Sequence, residues 1–228
     1  MILFGALANG LAVALGGGIG LAFKKGISER VKTLVMQSLA ICVVYVGISG
    51  SLKGTNTVFV VISMVIGAIL GELVNFDAQF KKFGDWLETI FGMKGENRFS
   101  EGFVTGTLFI CVGAMAIVGS LQSGMTGNNQ VLYTKSMIDG VFILILSTTL
   151  GVGVVFSSIS VVLYESALTL LAKWVAPLFT HTVINNMTCV GSLLILIIGL
   201  NMLKLTKIKV ANLLLAPFMP ILLYAIFK

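Results

Sequence analysis

Charge is scarce in this sequence. Only 11% of its 228 residues are Asp, Glu, Lys or Arg and 57% are hydrophobic, whereas a soluble domain is roughly one-quarter charged. A soluble globular fold is therefore excluded, and the lipid bilayer is the expected surrounding. Histidine is nearly absent: His181 stands alone, and neither HExxH nor GxSxG occurs, so the sequence offers no hydrolytic or metallo-enzyme constellation. No catalytic residue, metal site or cofactor is expected, and the reading is of a non-enzyme. Cysteine is limited to Cys42, Cys111 and Cys189, all within apolar stretches and without CxxC spacing. They read as small polarizable core residues rather than metal ligands or disulfide partners.

Long charge-free runs fill the rest. They are Met1 to Phe23, Thr33 to Leu52, Gly54 to Gly71, Gly102 to Thr134, Gly140 to Tyr164, Trp174 to Leu203 and Val210 to Phe227. Each is near or above the ~20 residues that cross the hydrocarbon core as a helix. A further span, about 159–177, is apolar apart from Glu165 and Lys173. The fold class that follows is all-α: one transmembrane domain over residues 1–228, a polytopic bundle of about eight spans. No basic residue precedes the first run, and that run exceeds a typical signal-peptide core, so it is expected to remain as the first helix.

The formal charge of +6 is explained by topology rather than by nucleic acid, which is not an expected partner. Lys24, Lys25, Arg30 and Lys32 follow the first span, Lys81, Lys82, Lys94 and Arg98 the third, and Lys204, Lys207 and Lys209 the seventh. Cytoplasmic loops hold the excess of Lys and Arg. Eight spans with both termini outside place these clusters inside and leave Lys53, Lys135, Lys173 and Lys228 outside.

The chain also repeats itself. Ile41 to Leu52 (ICVVYVGISGSL) recurs as Ile110 to Leu121 (ICVGAMAIVGSL), with identical Ile, Cys, Val, Ile, Gly, Ser and Leu. These read as two copies of one transmembrane helix, with copy one at about 31–75 and copy two at about 101–157. Cys189-Val190-Gly191, with Gly199 beyond it, begins a weaker and inverted echo over about 183–227. Repeated units are a common construction of transporters, with the site where they meet.

Small residues mark the places where helices approach. Gly16-Gly17-Gly18-Ile19-Gly20 lies at membrane depth with no preceding strand and no Lys-Ser/Thr, so it reads as a packing surface and not as a phosphate loop. Gly67 and Gly71, and likewise Gly102 and Gly106, have the GxxxG spacing that suits helix packing or an oligomer contact. A homo-oligomer is accordingly expected. Ser147-Thr148-Thr149 leads into Gly151-Val152-Gly153, and Ser157-Ser158-Ile159-Ser160 is read as the turn between spans five and six. Pro217 and Pro220 remove backbone donors three residues apart and predict a broken last helix.

Residues Phe76 to Phe91 differ in kind. Phe76, Phe80, Phe83, Leu87, Ile90 and Phe91 recur at helical spacing, and Asp77, Lys81, Lys82, Asp85 and Glu88 fall mostly opposite. This is an amphipathic helix, lying on the membrane surface or packing its stripe against protein. Residues 92–101 are read as a loop.

Charged side chains cost ~2.5–3.5 kcal/mol at the centre of a membrane helix on insertion scales, so the few that occur there are functional candidates. Asp139 lies one turn after Lys135, which also fits a structural ion pair near the outer interface. Glu165 is read as within two turns of a cytoplasmic turn, either snorkelling or facing a central cavity. Asn9, Asn185, Asn186, Asn201 and Asn212 are amides able to coordinate an ion or to bond neighbouring helices. Glu72, near a span end, reads as snorkelling to the interface.

Phe109 to Gln122 (FICVGAMAIVGSLQ), Lys135-Ser136-Met137-Ile138-Asp139-Gly140, Gly151-Val152-Gly153-Val154 and Gly199-Leu200-Asn201 resemble the YdfK/YqgA-like family of small bacterial inner-membrane proteins, a group classed as a domain of unknown function. The resemblance spans essentially the whole chain and implies a multi-pass protein of the bacterial plasma membrane. It transfers no catalytic or binding residue. The sequence departs from the family pattern at Glu165-Ser166, where Gln-Gly is expected, and at Asn186, where Glu is expected. An acid is thereby lost at the start of span seven and one gained on span six, which argues against either position being indispensable.

The functional expectation is a transporter or channel for a small solute, a cation by the excess of intramembrane acids over lysines. Its pathway would run between the repeats, lined by Asp139, Glu165, Asn185, Asn186, Asn201, Ser147, Thr148 and Thr149. The alternative is a non-transport membrane scaffold that binds a protein partner through the Phe76 to Phe91 helix.

Overall fold

The computed structural model describes residues 2–24, 29–91, 99–111 and 113–227. Among them there is no strand, and the chain is an all-α membrane bundle. Its helices are α1 (Phe4–Lys24), α2 (Glu29–Ser51), α3 (Thr57–Val74), α4 (Phe76–Phe91), α5 (Phe99–Cys111), α6 (Ala114–Thr126), α7 (Gln130–Leu150), α8 (Val152–Val175), α9 (His181–Met202) and α10 (Met219–Ile226). Six of them, α1, α2, α3, α7, α8 and α9, are long and apolar enough to cross a membrane, and α5 with α6 makes a seventh span if the bent pair is counted as one. In hydrocarbon every backbone N–H and C=O must find a partner within the protein, which is why charge-free runs become helices.

The helix ends follow local chemistry. Asn56 caps α3 by accepting from the Phe59 N–H at 3.1 Å, and Asn75 ends it in the left-handed conformation at φ 53°. Thr180 caps α9 by accepting from the Val183 N–H at 3.3 Å.

Two boundaries differ from the sequence expectation. The turn placed at Ser157 to Ser160 lies instead at Gly151, whose φ of 78° and ψ of −155° only glycine adopts without strain. Ser157 is buried inside α8 and donates to the Val154 carbonyl at 2.6 Å. Its hydroxyl is thus spent on its own helix, and the span begins earlier than read. The fourth span, expected as one helix, is two: α5 and α6 meet at a 60° bend. At Gly113 the backbone is extended (φ −67°, ψ 145°), so the second copy of the repeated dodecamer straddles a break that the first copy, inside α2, lacks. The last span is broken as the prolines predict. Val210–Leu213 and Ala216–Phe218 are 3-10 turns, and only Met219–Ile226 is α-helical.

The helices gather in two groups. Helix α1 lies along α7 and also touches α8, while α5 and α6 pack on α8. Helix α2 lies along α9, and α3 packs on the broken segment 210–226. Glycines decide each close approach. A methyl at Gly16 would overlap the Gly140 carbonyl, and one at Gly20 would overlap the Leu144 carbonyl and the Ser147 hydroxyl. Gly47 faces the backbone of Leu196, and Gly153 faces the Phe99 carbonyl.

The GxxxG pairs are used in the same way inside the chain. Gly67 faces Ala216, Gly71 faces the Asn212 carbonyl, Gly102 faces Leu150 and Val154, and Gly106 faces Ser157. All four glycines therefore serve helix packing within this chain.

Helix α4 begins against the bundle. Phe76 and Phe80 pack on the main core, and the Phe80 ring lies 5.3 Å from that of Phe103. The Asp77 N–H donates to Asn212 Oδ1 at 2.8 Å. The side chains of Phe83, Leu87, Ile90 and Phe91, like residues 92–98 of the expected loop, fall outside the described set.

Candidate functional site

Four polar side chains from three helices meet in the interior. Asn9 comes from α1, Lys135 and Asp139 from successive turns of α7, and Glu165 from α8. Asn9 and Glu165 are 0% exposed, Lys135 4% and Asp139 7%. The Asn9 amide donates through Nδ2 to Asp139 Oδ2 at 3.0 Å and to Glu165 Oε1 at 2.8 Å. Lys135 Nζ forms an ion pair with Asp139 Oδ2, four residues on, and lies 3.6 Å from Glu165 Oε1. An ionised carboxylate only accepts hydrogen bonds, so both acids require the Asn9 NH2 group to face them.

The site lies deep along its helices. At 1.5 Å per residue, Asp139 is about 13 Å from the start of α7 and about 16 Å from its end, and Glu165 is about 20 Å and about 15 Å from the ends of α8. Glu165 therefore lies mid-helix without exposure, and the Lys135–Asp139 pair is buried within the bundle. The moved turn explains the difference. With the break at Gly151 and not at Ser157, Glu165 becomes a mid-helix residue.

The network holds two carboxyl groups and one ammonium. One ammonium faces two carboxylates, so with both acids ionised the quartet carries a net charge of −1. Two acceptor atoms have no hydrogen-bond partner among the described residues: Asn9 Oδ1 and Glu165 Oε2. Unpartnered buried acceptors are uncommon in folded proteins and call for an explanation. The Phe109 ring of α5 stacks on the Phe142 ring of α7, 3.6 Å apart, which brings the C-terminal end of α5 to the turn of α7 that follows Asp139. Among the described residues, no group of three or more His, Cys, Asp or Glu could hold a metal ion.

The other residues expected on a pathway sit elsewhere. Asn186 is buried and fully engaged. Its Oδ1 accepts from the Thr55 and Asn56 N–H groups at 3.0 and 3.1 Å, and its two Nδ2 hydrogens are shared among Thr55 Oγ1, the Thr182 carbonyl and the Tyr224 hydroxyl, all within 3.0 Å. It fastens the α2–α3 turn and α10 to α9. Asn185, beside it, is half-buried. Asn201 staples the chain after α9, donating to the Ile208 carbonyl at 2.8 Å and accepting from Thr206 Oγ1 at 2.6 Å. Ser147, Thr148 and Thr149 donate to the carbonyls of Leu144, Ile145 and Leu146, so all three hydroxyls are bonded to α7 itself. Asn212 joins Glu72 at 2.5 Å, a link between α3 and the broken segment.

Asp139 and Glu165 are thus brought together, and Asn9 and Lys135 join them. The sequence signals for the two additions were the i, i+4 spacing of Lys135 to Asp139 and an isolated amide in the first span. Nothing in the sequence links Asn9 to residues 130 and 156 positions away.

A family profile described as "Protein of unknown function (DUF554)" matches residues 4–225. The chain belongs to the DUF554 family. It is similar to the "Uncharacterized membrane protein YdfK" of Bacillus subtilis (strain 168), with 28% identity over 93% of this chain and 91% of that protein. It is also similar to the "Uncharacterized protein YqgA" of Escherichia coli (strain K12), with 25% identity over 93% of this chain and 92% of that one. No solved structure matches. Two members of the quartet, Lys135 and Asp139, belong to the Lys135–Gly140 motif on which the DUF554 resemblance rests.

Proposed function

We propose that this DUF554 protein is a transporter or channel for a small cation and that the Asn9–Lys135–Asp139–Glu165 network is its ion site. Because the family pattern carries Gln at position 165, the part given to Glu165 is particular to this chain and is not a requirement of the family. One observation carries the proposal: a buried cluster midway along its helices in which two carboxyl groups face one ammonium, with acceptor atoms left unpartnered. Intramembrane acids are expensive and mark ion or proton paths. The neighbouring bend supports the same reading, since discontinuous helices line the sites of many transporters. The Ser147 to Thr149 hydroxyls and Asn186, Asn201 and their turns serve packing in this account, so the path follows α1, α7 and α8.

The test is ion flux into liposomes holding the purified protein under sodium, potassium and proton gradients. Flux above that of empty vesicles is expected; its absence under every gradient contradicts the proposal. The scaffold reading draws on α4, where Lys81, Lys82 and Trp86 are exposed. It is the weaker of the two, because Phe76 and Phe80 are already seated on the bundle.

A further inference from the structure

The two acids of the quartet do not share its ammonium equally. Lys135 Nζ pairs with Asp139 Oδ2 on its own helix, whereas it stands 3.6 Å from Glu165 Oε1, longer than a hydrogen bond. Asp139 therefore takes the ammonium. Glu165, 0% exposed, is left with the hydrogen bond that its Oε1 accepts from Asn9 Nδ2 at 2.8 Å.

The oxygens left over belong to that same bonded pair of side chains. Glu165 Oε2 and Asn9 Oδ1 are both buried without a partner among the described residues. An ionised carboxylate and an amide oxygen only accept, so neither can satisfy the other. One proton on Oε2 changes this, because the acid gains a donor and the Asn9 amide carries an unused acceptor. The same proton brings the quartet to zero net charge, with one ammonium, one carboxylate and one carboxylic acid.

The ionised form has partners as well. When the O–H bond breaks, its electron pair stays on Glu165, and both the Asn9 NH2 group and the Lys135 ammonium stand on the Oε1 side of the carboxylate. Each protonation state thus finds partners within the quartet. A metal cation fits less well, since Lys135 already places a full positive charge 3.6 Å from Oε1 and two free oxygens are too few to replace a hydration shell. The other titratable groups that interact with Glu165 are Cys111 on α5 and Tyr164 on α8. A thiol and a phenol ordinarily keep their protons at neutral pH, so Lys135 and Asp139 are the charges that face it.

From this geometry, and resting on the cation reading above, we propose that Glu165 is a reversible binding site for one proton and that H+ is the cation this network handles. Uptake takes a proton from hydronium, forms the O–H bond at Oε2 and leaves water. Release returns the proton to water and makes the Lys135 ammonium the counter-charge of both carboxylates.

The experiment records infrared difference spectra of the full chain in liposomes, between acid and alkaline buffers, and reads the C=O stretch of a protonated carboxyl. A band should grow on acidification, shift in D2O and be absent from Glu165→Gln, which keeps the side chain's size and its contact with Asn9. Glu165→Asp, which keeps an acid, should return the band at a displaced frequency. Asn9→Ala should move it to higher frequency, because the acid's C=O loses its donor. In the same liposomes a pH-sensitive dye should report proton flux that Glu165→Gln abolishes. The proposal is overturned if no Glu165-dependent band appears, or if the band neither titrates nor exchanges. A titrating band without flux of any ion leaves the proton site standing and removes the transport reading. Sodium or potassium flux without the band removes the proton site and leaves the transport reading.

Discussion

Asn9 on α1 donates from one nitrogen to Glu165 on α8, at 2.8 Å, and to Asp139 on α7, at 3.0 Å. A single amide therefore clips the first helix to two others and separates two carboxylates that would otherwise repel. This bond pair makes the α1–α7–α8 group one electrostatic unit, and several outcomes follow from it.

Asn9→Ala removes both donors and leaves two buried carboxylates facing each other. Loss of a hydrogen bond to a buried charged group costs ~1.5–3 kcal/mol, so a fall in detergent melting temperature is expected. Asn9→Ala combined with Glu165→Gln should lose less than the sum of the two single changes, which a double-mutant cycle reads directly. Strict additivity would show that the contact does no coupling.

Lys135→Met strips the only ammonium from the quartet. Breaking a buried pair by removing one partner costs ~3–5 kcal/mol. Lys135→Met with Asp139→Asn should regain much of that loss, because the second change removes one of the uncompensated charges. Chemical unfolding of the two variants side by side is the check.

Glycine positions should divide by what they face. An added methyl at Gly18 meets nothing within 4 Å, whereas at Gly16 it meets the Gly140 carbonyl. Gly18→Ala is predicted to be neutral or slightly stabilising. Gly16→Ala should cost ~1–3 kcal/mol as overpacking. Comparing their melting temperatures tests the α1–α7 seam.

Gly151→Ala forces a methyl-bearing residue into φ 78°, ψ −155°. Strain of ~1–3 kcal/mol is expected. Ser157→Gly, at the position first read as the turn, should be much milder. The reverse order in an unfolding assay would put the boundary where the sequence suggested.

Much of the bundle was legible because hydrocarbon leaves so few alternatives. Charge-free runs became helices, and Pro217 with Pro220 broke the last one. Two boundaries were not legible. Gly113 sits in a run of small apolar residues that resembles its unbroken copy at Ile41 to Leu52, and Gly151 competed with a more polar serine cluster that turned out to bond its own helix. The site was half visible. Asp139 and Glu165 stood out as intramembrane acids, but Asn9 was one of several amides, and only the packing of Gly16 and Gly20 on α7 brings it to them. Asn186 misled for the same reason: an amide in a membrane segment signals a polar partner without saying whether that partner is an ion or the backbone of the α2–α3 turn.

The central claim is that the ion site is the quartet and not the asparagine cluster of α9. Its most direct test is cation flux in proteoliposomes, with each variant first shown to be folded. The account predicts that Glu165→Gln abolishes flux while Asn186→Ala, though less stable, retains it with unchanged ion preference. Flux that survives Glu165→Gln and is lost or altered in selectivity by Asn186→Ala would contradict it.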